Sequence, residues 1–245
     1  EKGLIMPEDT AVIFYDYSIL QNRLKIVRGL FPENALHSAA IKANPLVKIL
    51  KNIVESGFGL ESASFGELLL AKKAGIQDIK LVFDSPAKTV QEINEIAEKY
   101  PLTHINVDSL HELKRYKNLE VKLGLRINPV VEMSTVSSMN VSGTHSKFGE
   151  LISNRGQIIE AFRNYPQLQA LHVHSGSQFG KLAPTVSGIR KVLDLSFEIN
   201  KITNKQINTI DIGGGFPVNY NGDPYELSAY VVALKNECPE LFDGT

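Results

Sequence analysis

Short apolar runs alternate with amphipathic stretches along almost the whole chain. Residues 36–43, 58–63, 79–84, 103–108, 121–128, 168–174 and 209–213 read as strands bounded by turn-forming residues. Between them the apolar positions switch to a helical period. Leu46, Ile49, Leu50, Ile53 and Val54 fall at i, i+3, i+4, i+7 and i+8; Val90, Ile93 and Ala97 repeat this, as do Ile158, Ile159 and Phe162 more weakly. Residues 16–30 predict a leading helix, 184–203 a long late helix and 225–237 a helical tail. Repeated strand–helix units imply a parallel sheet, either doubly wound or closed into a barrel.

The polar positions choose between the two. Lys42, Glu61, Asp84, Asp108, Arg126, His174 and the run from Asp211 to Gly215 all stand at the C-terminal ends of predicted strands. A doubly wound sheet gathers its ligand groups at one switch point. A (β/α)8 TIM-type barrel rings its site with groups from nearly every strand, as here. The pattern supplies seven strands where a closed barrel needs eight, so the barrel is expected to lack its last strand. Residues 129–150 form one long polar interruption rich in Ser, Thr and Asn, a segment of the kind that carries function.

Composition narrows the classes. A net charge of −1, from 26 basic and 27 acidic residues, argues against a nucleic-acid or anionic-membrane surface. No apolar run approaches the roughly 20 residues of a membrane span, so a soluble chain is expected. Cys238 is the only cysteine, which excludes an intramolecular disulfide framework and fits a reducing cytoplasm. The chain starts at Glu1 with no signal-like segment, which suggests a processed or trimmed chain.

Several segments carry candidate chemistry. HSAAIKANP, residues 37–45, places Lys42 at the end of an otherwise apolar, small-residue strand. An ammonium there must be paired, shifted, exposed by snorkelling or used covalently, and a desolvated lysine is a good nucleophile for a carbonyl. HVHSGSQ, residues 172–178, puts His172 and His174 on one face, where metal ligation, contact with an aromatic cofactor and a structural role all stand open. DIGGGFP, residues 211–217, follows a strand with Gly213, Gly214 and Gly215, whose N–H groups suit either an anion-binding nest or a plain turn. SKFGE, residues 146–150, reads as a turn or helix start. LRINP, residues 125–129, points Arg126 inward, where it should meet a carboxylate or an anion, and GLESAS, residues 59–64, points Glu61 inward. Asp84 and Asp108 read as caps of the helices that follow them.

Taken in order, AAIKANP, GLESASFGEL with AKKAGI, FDSPAKT, NVDSLHEL, LRINP, SKFGE, HVHSGSQ and DIGGGFP resemble the fold type III pyridoxal-phosphate decarboxylases. This is the diaminopimelate and ornithine/arginine decarboxylase family, and the diaminopimelate branch is the nearest. The resemblance covers most of residues 35–217 and implies an alanine racemase-like barrel. It implies that Lys42 binds the aldehyde of pyridoxal 5'-phosphate, that His174 stacks on its ring, and that Gly213, Gly214 and Gly215, with Ser177 nearby, hold its phosphate. Arg126 would position that histidine and the cofactor. Glu61 stands where many relatives carry aspartate, which keeps the charge and lengthens the reach.

The implied reaction is decarboxylation of a basic or diamino acid, whose amine displaces Lys42 from the cofactor. The resemblance calls for no metal ion and for a cytoplasmic homodimer of the complete protein. The family's Glu-Pro-Gly-Arg segment, whose glutamate pairs with the pyridine nitrogen, does not occur here, nor does its later Cys-Glu/Asp segment. The expected organisation is therefore an N-terminal segment, 1–15, associated with a C-terminal β-domain outside the chain, and an incomplete pyridoxal-phosphate-binding barrel, 16–245. The alternatives are a racemase or pyridoxal-phosphate-binding protein of the same fold, a non-catalytic homologue that binds a partner enzyme, and a metal-dependent barrel hydrolase resting on His172 and His174.

Overall fold

The computed structural model describes residues 5–131, 143, 146–174, 176, 182–204, 206–216 and 227–243. Eight strands lie parallel in one curled sheet. They are β1 (Ser38–Ala40), β2 (Gly59–Ser62), β3 (Leu81–Phe83), β4 (His104–Val107), β5 (Lys122–Asn128), β6 (Glu150–Leu151), β7 (Leu168–His172) and β8 (Thr209–Asp211). Their order is β1-β2-β3-β4-β5-β7-β8, with β6 attached to the end of β5. All seven predicted strands form, each trimmed at one or both ends. The eighth, β6, is the two-residue exception: SKFGE was expected to be a turn or helix start, and its last residue instead pairs with β5.

The helices follow from their caps and apolar faces. The α1 helix (Tyr17–Leu30) starts where Asp16 accepts the N–H groups of Ser18 and Ile19. The α2 helix (Val47–Glu55) buries Ile49, Leu50 and Ile53, and α3 (Phe65–Lys73) is capped by Ser64. The α4 helix (Val90–Lys99) opens on a reciprocal capping box between Thr89 and Glu92 and buries Ile93 and Ile96. Ser109 caps α5 (Leu110–Leu113). Among the described residues three further helices complete the outer layer: α6 (Arg155–Asn164), α7 (Leu182–Thr203) and α8 (Leu227–Glu237).

Asp84 and Asp108, expected as caps, are not caps. Hydroxyl residues nearer each helix start take that task, which leaves both carboxylates free to face the interior.

Burial on both faces explains the apolar strands: every residue of β3 is buried. The inner face is polar and small where the register aligns it. Asn106 pairs with Gly124 and Gly124 with Ala170; one step further on, Arg126 pairs with His172 and His172 with Asp211. Gly124 is required here, because a Cβ would come within 2.5 Å of the Asn106 Oδ1 and 2.8 Å of the His104 Nε2. Among the described residues β1 and β8 are the unpaired ends of the sheet. The helical layer nevertheless meets itself: α1 packs on α8, and Phe31 stacks on Phe242 at 6.0 Å.

Candidate active site

Lys42 lies just beyond β1, in a short 3-10 turn (Ile41–Ala43) rather than in the strand itself. Its side chain is 54% exposed, so the expected desolvation is absent. The ammonium stands 3.6 Å from the Glu61 carboxylate, too far for a hydrogen bond. Burial pushes the Glu61 carboxyl up, with Asp84 and Asp211 adding to the effect against the charges of Lys42 and His172.

The centre of the inner face is a charge-compensated cluster. His172 is fully buried, with Nδ1 2.9 Å from Asp211 Oδ2 and Nε2 3.6 Å from Asp84 Oδ2. Neither contact has hydrogen-bond geometry, so charge rather than a directed bond ties the ring to the two carboxylates. Burial opposes a charged imidazole, but Asp211 and Asp84 outweigh it and hold His172 up at about 9. Burial would also raise Asp211. The imidazolium, the Gly213 N–H and the Asn106 amide instead hold that carboxyl below the usual range.

His174 lies beyond β7 with its ring nearly parallel to that of His172, at 6.5 Å and 18°. Burial, then the positive charges of His172, Arg126 and Lys42, push His174 down to about 3, so its ring is neutral. Gly213 and Gly215 adopt φ of 69° and 98°, the left-handed region that favours glycine. Gly213 donates to Asp211 Oδ1 at 2.9 Å, and the Gly214 N–H faces His174 Nδ1 at 3.5 Å. A Cβ on Gly213 would lie 2.3 Å from the Val173 carbonyl, whereas one on Gly214 would meet nothing within 4 Å. The turn thus packs its first glycine against the His174 segment and presents the second to open space.

Arg126, expected to meet a carboxylate or an anion, contacts Asp108 at 3.3 Å and lies over the Phe148 ring at 5.0 Å. Burial raises the Asp108 carboxyl, against the pull of Arg126 and the Gly149 N–H. SKFGE therefore braces the Arg126 pair. Ser177 lies outside the described residues, as do 132–142, 144 and 145 of the long polar segment.

Two groups escaped the sequence reading. His104 and Asn106 extend the cluster, with His104 Nε2 2.9 Å from Asn106 Oδ1 and Asn106 donating to Asp211 at 3.0 Å. Their alternation with Asp108 along β4 was the available signal. Lys88 and Glu112 form a fully buried pair linking the turn after β3 to α5, and nothing in their local sequence announces it. Among the described residues no three or more His, Cys, Asp and Glu side chains are grouped to hold a metal ion, and no helix is long and apolar enough to cross a membrane.

Residues 18–245 match the pyridoxal binding domain of the pyridoxal-dependent decarboxylases. The chain is 30% identical over 241 residues to diaminopimelate decarboxylase of Zymomonas mobilis, with 92% of this chain and 57% of the relative covered. It is 31% identical over 235 residues to that of Aquifex aeolicus, covering 92% and 55%. A crystal structure of diaminopimelate decarboxylase from Helicobacter pylori complexed with L-lysine superposes with a TM-score of 0.82 at 25% identity, covering 91% of this chain and 59% of that one. The chain thus spans little more than half the length of these relatives. It belongs to the pyridoxal-dependent decarboxylase family and carries a curled parallel α/β half-barrel that matches the barrel of the pyridoxal-binding domain.

Proposed function

We propose that this chain is the pyridoxal-phosphate-binding part of an amino-acid decarboxylase acting on a basic or diamino acid, with a diaminopimelate-like substrate. The observation that carries the reading is the Lys42 amine, half exposed and loosely paired, on the same strand-end edge as a neutral His174 and the glycine turn. These residues suit pyridoxal phosphate chemically: an accessible amine for its aldehyde, an uncharged flat ring for its pyridine, and open space at Gly214 for its phosphate. Gly214, Gly215 and Ser177 would hold the phosphate, the Gly214 N–H turning to it from its long 3.5 Å contact with His174 Nδ1, while the Gly213 N–H is given more closely to Asp211 at 2.9 Å.

When bound, the cofactor supplies an electron sink for the pair left as carbon dioxide departs. The protein's own residues have other tasks. Lys42 would hold the cofactor's aldehyde and could pass a proton at its Nζ, with the Glu61 carboxylate 3.6 Å away. Arg126, tied to Asp108, adds positive charge that keeps His174 neutral. The relatives' identity supports the diaminopimelate-like substrate, as does the solved relative bound to L-lysine.

The N-terminal segment, 1–15, is read as docking on a β-domain outside the chain, and 16–245 as the cofactor domain. Ile13 and Phe14, 77% and 76% exposed, are an apolar pair that such a domain would cover. The complete protein is read as a cytoplasmic homodimer.

Incubation with pyridoxal phosphate, borohydride reduction and peptide mapping test the reading. A single adduct on Lys42 is expected, with carbon dioxide released from diamino acids by the complete protein. A folded protein without label on Lys42 overturns it.

A further inference from the structure

The proposed cofactor contact falls to His174 and the glycine turn and gives no task to His172, buried, and Asp211, half-buried, which face each other on the inner face. They are direct partners across the β7–β8 ladder, so their side chains share the inner face. Asp211 spends one oxygen on the Gly213 N–H at 2.9 Å and the other on the Asn106 amide at 3.0 Å, with His172 Nδ1 2.9 Å from that second oxygen. His172 in turn lies between Asp211 and Asp84 and runs parallel to His174. The turn cannot move independently of His174, because Gly213 is packed against the Val173 carbonyl and the His174 ring.

We propose that Asp211 and His172 are a positioning pair: the Asp211 carboxylate sets the conformation of the Gly213–Gly215 turn, and His172 neutralises that carboxylate while holding the His174 ring in its plane. The inference rests on the proposed cofactor site only in assigning the turn and His174 to ligand contact. The groups facing the pair are Asp84 after β3, Glu61 on β2, Arg126 on β5, and His104 and Asn106 on β4. Among them the carboxylates outnumber the cations around His172, so a charged imidazole is the species the site requires.

Asp211→Asn is the informative change. An amide can satisfy Gly213 with its oxygen, but its NH2 then meets the Asn106 NH2, donor against donor. Turning Asn106 to accept would reverse its contact with His104 and force that ring into the tautomer that accepts at Nε2. The isosteric variant therefore keeps both bonds only at the cost of rearranging Asn106 and His104, and it also removes the charge that His172 balances.

In the intact protein, three readouts separate positioning from mere scaffolding. Imidazole NMR of selectively labelled histidine should show His172 charged at neutral pH in the wild type and neutral in Asp211→Asn. Hydrogen exchange of the peptide carrying Gly213 should be faster in the variant, and its pyridoxal phosphate dissociation constant should rise about tenfold or more, the scale of a lost hydrogen bond to a charged group. A neutral His172 in the wild type overturns the proposal without any variant, as does a variant turn that exchanges at the wild-type rate. Where Asp211→Asn does not fold, His172→Gln serves in the same exchange and cofactor titrations, and unchanged values overturn the proposal. If Lys42 takes no label in the wild type, the cofactor reading fails, while the NMR and exchange measurements still decide the pair.

Discussion

Two lysines follow strands on either side of β2, Lys42 after β1 and Lys88 after β3, each beside a glutamate, and they could hardly be more different. Lys88 is completely buried; its three ammonium donors go to the Ser85 carbonyl at 2.5 Å, the Asn106 carbonyl at 2.7 Å and Glu112 at 2.9 Å. Both oxygens of Glu112 are themselves engaged, Oε2 accepting the Asp108 N–H and Oε1 the Tyr116 hydroxyl. Lys42 is 54% exposed and 3.6 Å from Glu61. A lysine whose donors are all committed inside the protein is a rivet between βα units, and this one fixes the turns that carry Asp84 and Asp108. A lysine held loosely at the open rim keeps its amine available for a ligand. Chemistry is assigned to the rim, and its precision comes from the interior.

The sharpest way to break this contrast is to remove one member of the buried pair. Glu112→Ala leaves the Lys88 ammonium uncompensated and should cost about 3–5 kcal/mol of folding stability, read from urea unfolding. A loss comparable to an exposed pair would refute the rivet.

A smaller effect should come from pH acting on the buried His172 and the half-buried Asp211. His172 is raised to about 9 from 6.5, so its contribution is complete below about pH 6.5 and disappears as pH rises through 9. Asp211 is depressed from 3.8, so its contribution is present above that value and is lost only as pH falls through the lower, native one. Denaturant midpoints should therefore decline on the alkaline side between neutrality and pH 9, and His172→Gln should flatten that decline. An unchanged alkaline limb in the variant would remove His172 from the account.

The smallest effect is expected at the rim. Lys42→Ala should change stability by no more than about 0.5 kcal/mol in thermal unfolding, as at other exposed positions, while abolishing borohydride labelling. A large destabilisation would make Lys42 structural after all.

Much of this was legible before any coordinates. The period-two and period-3.6 patterns located every main strand and the long helices, because core-facing alternation is a local property. Lys42, Glu61, Arg126 and His174 stood out because a polar residue at the end of an apolar run has few bland explanations. The desolvation argument made for Lys42 describes Lys88 instead. Lys88 lies in the turn-like segment SPAKT, where nothing local marks burial, and only the folding of α5 and β4 over it removes it from water. Asp84 and Asp108 were misread as caps because capping is the commonest local task of such a carboxylate, while their true partners, His172 and Arg126, lie far along the chain.

By itself, the sequence determined the repeating βα architecture, the strand ends that carry polar groups and the motifs that tie the chain to its family. These depend on residues close together along the chain. Tertiary structure alone decided which charges are buried, which of them compensate one another and which lysine stays open to a ligand. Charge state and access are set by neighbours brought together from different strands, and a residue's burial is a property of the assembled sheet and helices rather than of its own segment.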